Sequence, residues 1–100
     1  VDWSGLESIR AASWQKQLHL FEVPFYYIEY GIAQLGALAM WRQYKQNKEQ
    51  ALSNYCNALS LGYTKSLKEL YQIAGIQFDF SPAYIKELAA FVTAAIEEML

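Results

Sequence analysis

The sequence predicts an all-α protein with about five helices that pack as an antiparallel bundle. Apolar residues recur at helical spacing, and the strict alternation of an exposed strand never persists. Ser or Asn stands three residues before Glu or Gln at several predicted helix starts, as in a capping box. Short loops favour antiparallel neighbours. The 100 residues therefore form one helical domain or a piece of one.

The first two predicted helices span residues 5–21 and 25–44. Ser4 and Glu7 form a capping box before the first, in which the hydroxyl and the carboxylate each accept a backbone N–H. Pro24 suits the first turn of the second helix, because it has no N–H to leave unpaired.

The second helix is apolar on nearly every face from Gly31 to Trp41, which predicts that it is buried on all sides. Gly31 and Gly36 add little side-chain bulk there, and we expect other helices to approach closely at both. Trp14 and Trp41 are expected in the core.

Three further helices are predicted at residues 48–61, 67–74 and 82–99. Their predicted N-caps are the short polar residues Asn47, Ser66 and Ser81. Gly62 and Gly75 are the predicted left-handed residues after the first two, and Pro82 is the first residue of the last helix.

Charge and cysteine content exclude several classes of protein. The net charge is −2, which lacks the basic excess of a nucleic-acid-binding protein. The longest apolar run, Leu35–Trp41, is far too short to span a membrane, and no secretory leader is apparent. The single cysteine, Cys56, rules out an internal disulfide and suits a reducing compartment; we expect it to be a small core residue.

The chain offers few helices to cover so apolar a second helix. It is also rich in aromatic residues, with three Trp and eight Tyr. We therefore expect either a fragment of a larger all-helical protein or an obligate oligomer that associates through an exposed apolar face.

A complete active site is missing from the sequence. A zinc site needs three or four ligands, but the chain has one His and one Cys, and it lacks HExxH. The patterns GxSxG, GxGxxG and the P-loop are also missing. No metal or other cofactor is expected to bind this chain by itself.

The candidates for part of an active site are His19, Tyr26 and Tyr30. The two tyrosines are four residues apart, so their hydroxyls share one helical face, and His19 precedes them across a short turn. An imidazole and two phenols would suit a peptide carbonyl or a developing oxyanion. The alternative is that His19 is a surface or core-edge residue and that the tyrosines only pack.

The stretch HLFEVPFYYIEYGIAQLGALAMW, residues 19–41, resembles the C-terminal region of oligoendopeptidase F-type zinc metallopeptidases, relatives of thimet oligopeptidase. The resemblance continues collinearly through LGYTKSLKELYQIAGIQFDFSPAYIKEL, residues 61–88, and covers nearly the whole chain.

The resemblance implies an all-α fold with a closed channel that admits short peptides. It implies a zinc ion held by the two His of HExxH and a downstream Glu, all N-terminal to the matched region. His19 matches a histidine that reaches the scissile carbonyl, and Tyr26 and Tyr30 match a pair of tyrosines, with Tyr27 a possible substitute for Tyr26. A further family tyrosine falls at Ala33, so this chain lacks that donor.

The predicted function is therefore that of the C-terminal catalytic-domain segment, residues 1–100, of a cytoplasmic zinc metalloendopeptidase. Its partners would be short peptide substrates and the remainder of the catalytic domain, and the chain alone would be inactive. The alternative is a non-catalytic α-helical interaction or oligomerisation module.

Overall fold

The structure is a computed structural model that describes residues 2–100, and the described residues contain helices and no β-strand. The α-helices are α1 (Glu7–Ala12), α2 (His19–Glu22), α3 (Ile28–Gln46), α4 (Lys48–Ser60), α5 (Leu67–Ile73) and α6 (Pro82–Glu97). A 3-10 helix, Ser13–Lys16, follows α1. The all-α fold class is thus confirmed. The chain divides after Gly31 into two compact units.

The first unit, up to Gly31, does not contain the single helix predicted over residues 5–21. That helix is broken because Gln17 takes an extended backbone conformation, with φ −83° and ψ 90°, after the 3-10 helix. None of the residues 2–31 is fully buried, and Trp14 is half exposed, so its prediction as a core residue is wrong for this chain.

The capping box predicted at Ser4 and Glu7 is also wrong. The Ser4 amide and hydroxyl donate to the Asp2 carboxylate, at 2.9 and 2.6 Å. The Glu7 carboxylate accepts from the Gly5 amide at 3.0 Å, and α1 begins after Leu6 without a side-chain cap. Ser4 lies two residues before the N-cap, Leu6, and is therefore too early in the chain to cap α1.

The second unit, Ile32–Leu100, holds the core of the chain. Its buried apolar cluster contains Leu88, which is 1% exposed, together with four side chains from α3, α6 and the segment that follows α5. The other members are Ala39, Ala74, Ile76 and Tyr84. The member from α3 is an alanine, so the backbone of that helix can lie close to the rest of the cluster.

The caps predicted for α4, α5 and α6 are confirmed. The side chains of Asn47, Ser66 and Ser81 each accept the backbone N–H three residues on, and Ser66 and Glu69 form the complete reciprocal box. Helix α5 ends as predicted at Gly75, with φ +76°. The Ile76 amide donates to the Tyr71 carbonyl and the Gly75 amide to that of Gln72, which is a Schellman ending.

The Ser66 cap leads to a pH prediction. Hydrogen bonds from the Ser66 hydroxyl, and then from its amide, lower the pKa of the Glu69 carboxyl. Because the folded pKa is the lower one, the carboxylate stabilises α5 above its ordinary pKa and loses that contribution as the pH falls through the lowered value. We expect Ser66→Ala to return the pKa toward its ordinary value in an NMR titration. Ser60→Ala, which removes a hydroxyl bonded only to a carbonyl, should leave it unchanged; an equal shift in both variants would contradict the prediction.

Gly36 makes the close approach predicted for it, and Gly31 does not. A Cβ atom built on Gly36 would lie 2.5 Å from the Tyr71 hydroxyl, whereas one on Gly31 would meet nothing within 4 Å. The Tyr71 hydroxyl in turn donates to the Ile32 carbonyl of α3 at 3.1 Å. Burial raises the pKa of this phenol, with a smaller contribution from Tyr84.

Helix α3 is not buried on all sides, contrary to the prediction. Ala33 and Ala37 are exposed, and they line an apolar cleft of about 530 Å³ between α3, α4 and α5. Cys56 of α4 is exposed as well, so its predicted core position is wrong. The described part of the chain therefore leaves a large apolar surface uncovered.

Among residues 2–100, no helix combines the length and the apolar character needed to cross a membrane.

Candidate functional site

His19 begins the single turn of α2. The Leu20 amide donates to the Gln17 carbonyl at 3.0 Å, and the Val23 amide closes the turn on the His19 carbonyl at 3.2 Å. His19 is partly buried, while every residue from Leu20 to Gly31 is exposed. These backbone bonds place His19 at the start of a turn, a few residues before the tyrosines.

A tight turn connects α2 to the tyrosines. The Tyr26 amide donates to the Val23 carbonyl at 3.1 Å, and Phe25 has a positive φ of 67°. Pro24 at the second position and a positive φ at the third define a type II β-turn. The helix predicted to begin at Phe25 therefore begins at Ile28 instead, because a left-handed residue cannot belong to a right-handed helix.

The first turn of α3 is also tight. The Glu29 amide donates to the Tyr26 carbonyl at 3.0 Å, and the Tyr30 amide donates to the Tyr27 carbonyl at 3.3 Å. Tyr26 thus precedes the helix rather than lying one helical turn before Tyr30 within it. The rings of Tyr26 and Tyr30 still meet edge to face, with centroids 5.8 Å apart.

Four rings come together at this turn, and we call them the His–Tyr cluster: His19, Tyr26, Tyr27 and Tyr30. The imidazole stacks on Tyr26 at 6.0 Å with an interplanar angle of 8°. It meets Tyr27 at 5.8 Å and 45°, and Tyr30 edge to face at 5.5 Å and 81°. The structure therefore brings all the residues predicted for the site together, within the first unit.

One polar contact orders the cluster. The Tyr30 hydroxyl lies 3.2 Å from His19 Nε2. The phenol donates when Nε2 carries no hydrogen and accepts when it does, so the tautomer of His19 decides whether the Tyr30 proton is free for another acceptor. In the second arrangement the imidazole stabilises Tyr30 as a donor toward a bound carbonyl oxygen.

The cluster is open to ligands. Tyr26, Tyr27 and Tyr30 are each between two-fifths and one-half exposed, so the cluster is not enclosed by the described residues. Phenol and imidazole N–H groups that converge on one point can stabilise a carbonyl oxygen that gains negative charge. Tyr26 and Tyr27 lie at nearly the same distance from His19, and the geometry allows either to act beside Tyr30.

Metal ligands are a separate matter. Among residues 2–100 no three side chains of His, Cys, Asp or Glu lie close enough together to hold a metal ion. His19 is surrounded by phenols, which are poor partners for a zinc site of His, Cys and carboxylate ligands. The residues of the cluster thus fit a hydrogen-bonding role better than a ligating one.

Phe25 was not predicted as a site residue. Its left-handed backbone is the feature that draws attention to it, and Phe is not a residue type that signals such a conformation. Pro24 was the available signal, since proline favours the second position of a type II turn as much as the first turn of a helix.

Comparison with known proteins relates the chain to a peptidase family. The sequence pattern of Peptidase family M3 matches residues 2–90, which is most of the chain and includes the whole His–Tyr cluster. No curated protein and no solved structure gives a significant match.

Proposed function

The chain belongs to peptidase family M3, and from this membership we propose that it is the C-terminal segment of the catalytic domain of a zinc metalloendopeptidase that cleaves short peptides. The oligoendopeptidase F type is the branch that the stretch PFYYIEYGIAQLGAL resembles. The observation that carries the proposal is the His–Tyr cluster, four rings around one hydrogen bond within the matched residues. A reducing cytoplasm suits its single, exposed cysteine.

In this role the cluster binds and stabilises rather than attacks. When a peptide bond is hydrolysed, its carbonyl oxygen becomes an oxyanion, and donors aimed at that oxygen lower the barrier. The Tyr30 hydroxyl would donate a hydrogen bond to that oxygen while accepting one from His19 Nε2. Tyr26 or Tyr27, whose rings adjoin both His19 and Tyr30, would supply a second phenol.

The zinc ion would be held elsewhere in the full-length protein. Among residues 2–100, no group of three potential ligands lies close enough together to hold a metal ion. The resemblance implies that the ligands, two His of HExxH and a Glu, lie N-terminal to the matched stretch. Hydrolysis would therefore depend on the remainder of the catalytic domain.

The apolar cleft between α3, α4 and α5 is suited to packing against another part of the protein. It is lined by alanines of α3 and by larger side chains of α4 and α5, among them Leu52, Tyr55 and Leu70. Such a surface is unfavourable in water and marks an interaction site. We propose that the remainder of the catalytic domain covers it.

The test compares the chain with the complete gene product. We expect the gene to encode HExxH upstream of these residues, the full-length protein to contain zinc and cleave short peptides, and the 100-residue chain alone to do neither. A gene without HExxH, or a zinc-free full-length protein that cleaves no peptide, would contradict the proposal. Self-association of the chain in light scattering would then favour the alternative, a helical interaction module.

A further inference from the structure

Phe25 has an unusual backbone for its residue type. It is the only residue other than glycine with a positive φ in the part of the chain that the structure describes. The other three such positions are occupied by glycines, at residues 5, 62 and 75. A side chain at a positive φ places Cβ close to the backbone, and glycine avoids this strain. Glycine at position 25 would therefore form the same turn with less strain.

The Phe25 side chain makes no stabilising contact with the rings around it. It is 95% exposed, and none of the aromatic contacts of the His–Tyr cluster includes it. A phenyl ring in water at a strained position is unfavourable on both counts. A contact with a group outside the described residues must offset the strain and the exposure of this ring.

The position of Phe25 indicates what that contact is. The residue lies in the turn that joins the helix of His19 to Tyr26, so it directly adjoins the donors of the cluster. In a bound peptide, neighbouring residues lie only about 3.8 Å apart along the backbone. A carbonyl held by the cluster therefore brings the side chains on either side of it near this turn.

Resting on the proposed function, we propose that Phe25 is a specificity-determining residue that contacts an apolar side chain of the peptide beside the cleaved bond. The Phe25 ring is left free for such a contact, since it is 95% exposed while the rings of Tyr26 and Tyr27 lie against His19. The contact would be made with the substrate and not with the remainder of the protein.

The test uses the full-length protein and two peptides that differ only beside the cleaved bond, where one has Leu and the other Gly. We expect Phe25→Gly to lower kcat/KM for the Leu peptide about tenfold through KM, and to change that for the Gly peptide by less than about twofold. The melting temperature should stay the same or rise, because glycine accepts the positive φ. Phe25→Tyr, which keeps an aromatic ring, should retain the preference for Leu.

A matched control removes another exposed aromatic side chain. Tyr63→Ala, at a fully exposed position after Gly62, should leave both peptides unaffected. An equal loss for both peptides, or a lower melting temperature with unchanged preference, would overturn the proposal, the latter by showing that Phe25 packs against the protein. A wild-type protein that cleaves and binds neither peptide would overturn the proposed function and this proposal together, whereas cleavage without preference would overturn this one alone.

Discussion

Replacing Tyr30 with Phe in the full-length protein should lower kcat for a short peptide by roughly 10²–10³-fold, which corresponds to about 2.7–4 kcal/mol of transition-state stabilisation. The substitution keeps the ring, and with it the edge-to-face contact with His19 at 5.5 Å. It removes the hydroxyl that lies 3.2 Å from His19 Nε2. The effect should therefore fall on turnover and not on folding, and steady-state kinetics with a melting curve would measure both.

Zinc content separates this role from a defect in the metal site. It should be the same in Tyr30→Phe as in the wild type, because the ligands are expected outside this chain. Tyr63→Phe removes the same hydroxyl from a fully exposed tyrosine and should keep wild-type turnover. Full activity in Tyr30→Phe would remove Tyr30 from the catalytic residues, and equal losses in the two variants would mean that the effect is not local.

Helices α4, α5 and α6 could be predicted because their ends are set by neighbouring residues. Asn47, Ser66 and Ser81 each cap a helix through a bond that spans only three residues. The Schellman ending at Gly75 is equally local. The same reasoning failed at Ser4, because α1 begins two residues later than predicted, and at Pro24, where a turn and a helix start share one signal.

Burial could not be predicted in the same way, because it depends on what surrounds the chain. Trp14 and Cys56 have the apolar character of core residues but are exposed among the described residues. Ala33 and Ala37 lie on an apolar face of α3 that lines an open cleft. These side chains are suited to an environment that the described residues do not supply.

The residues of the candidate site could be predicted, but the backbone conformation that brings them together could not. The spacing of Tyr26 and Tyr30 suggested one helical face, whereas the structure brings the rings together through a type II turn before the helix. The catalytic role of these residues stays a prediction. The hydrogen bond between Tyr30 and His19 links residues eleven apart in sequence, which helical periodicity cannot show.

Gly36→Ala should destabilise the protein, although alanine is the better helix former by up to about 1 kcal/mol. The new Cβ would lie 2.5 Å from the Tyr71 hydroxyl and 3.0 Å from its Cζ atom. That ring is held on both sides, by its bond to the Ile32 carbonyl and by an edge-to-face contact with Phe78 at 5.2 Å. Overpacking of this kind costs about 1–3 kcal/mol, so we expect a net loss that a denaturant titration of the full-length protein would measure.

Two further variants identify the clash as the cause. Gly31→Ala lies on the same helix with nothing within 4 Å of its Cβ, and it should be neutral or stabilising. Tyr71→Phe removes the nearest atom, so Gly36→Ala should be less harmful in a Tyr71→Phe background than in the wild type. A positive coupling of this sign in the double-mutant cycle would assign the glycine to the close approach of Tyr71. Additive effects would instead mean that the cost of Gly36→Ala does not come from the Tyr71 hydroxyl.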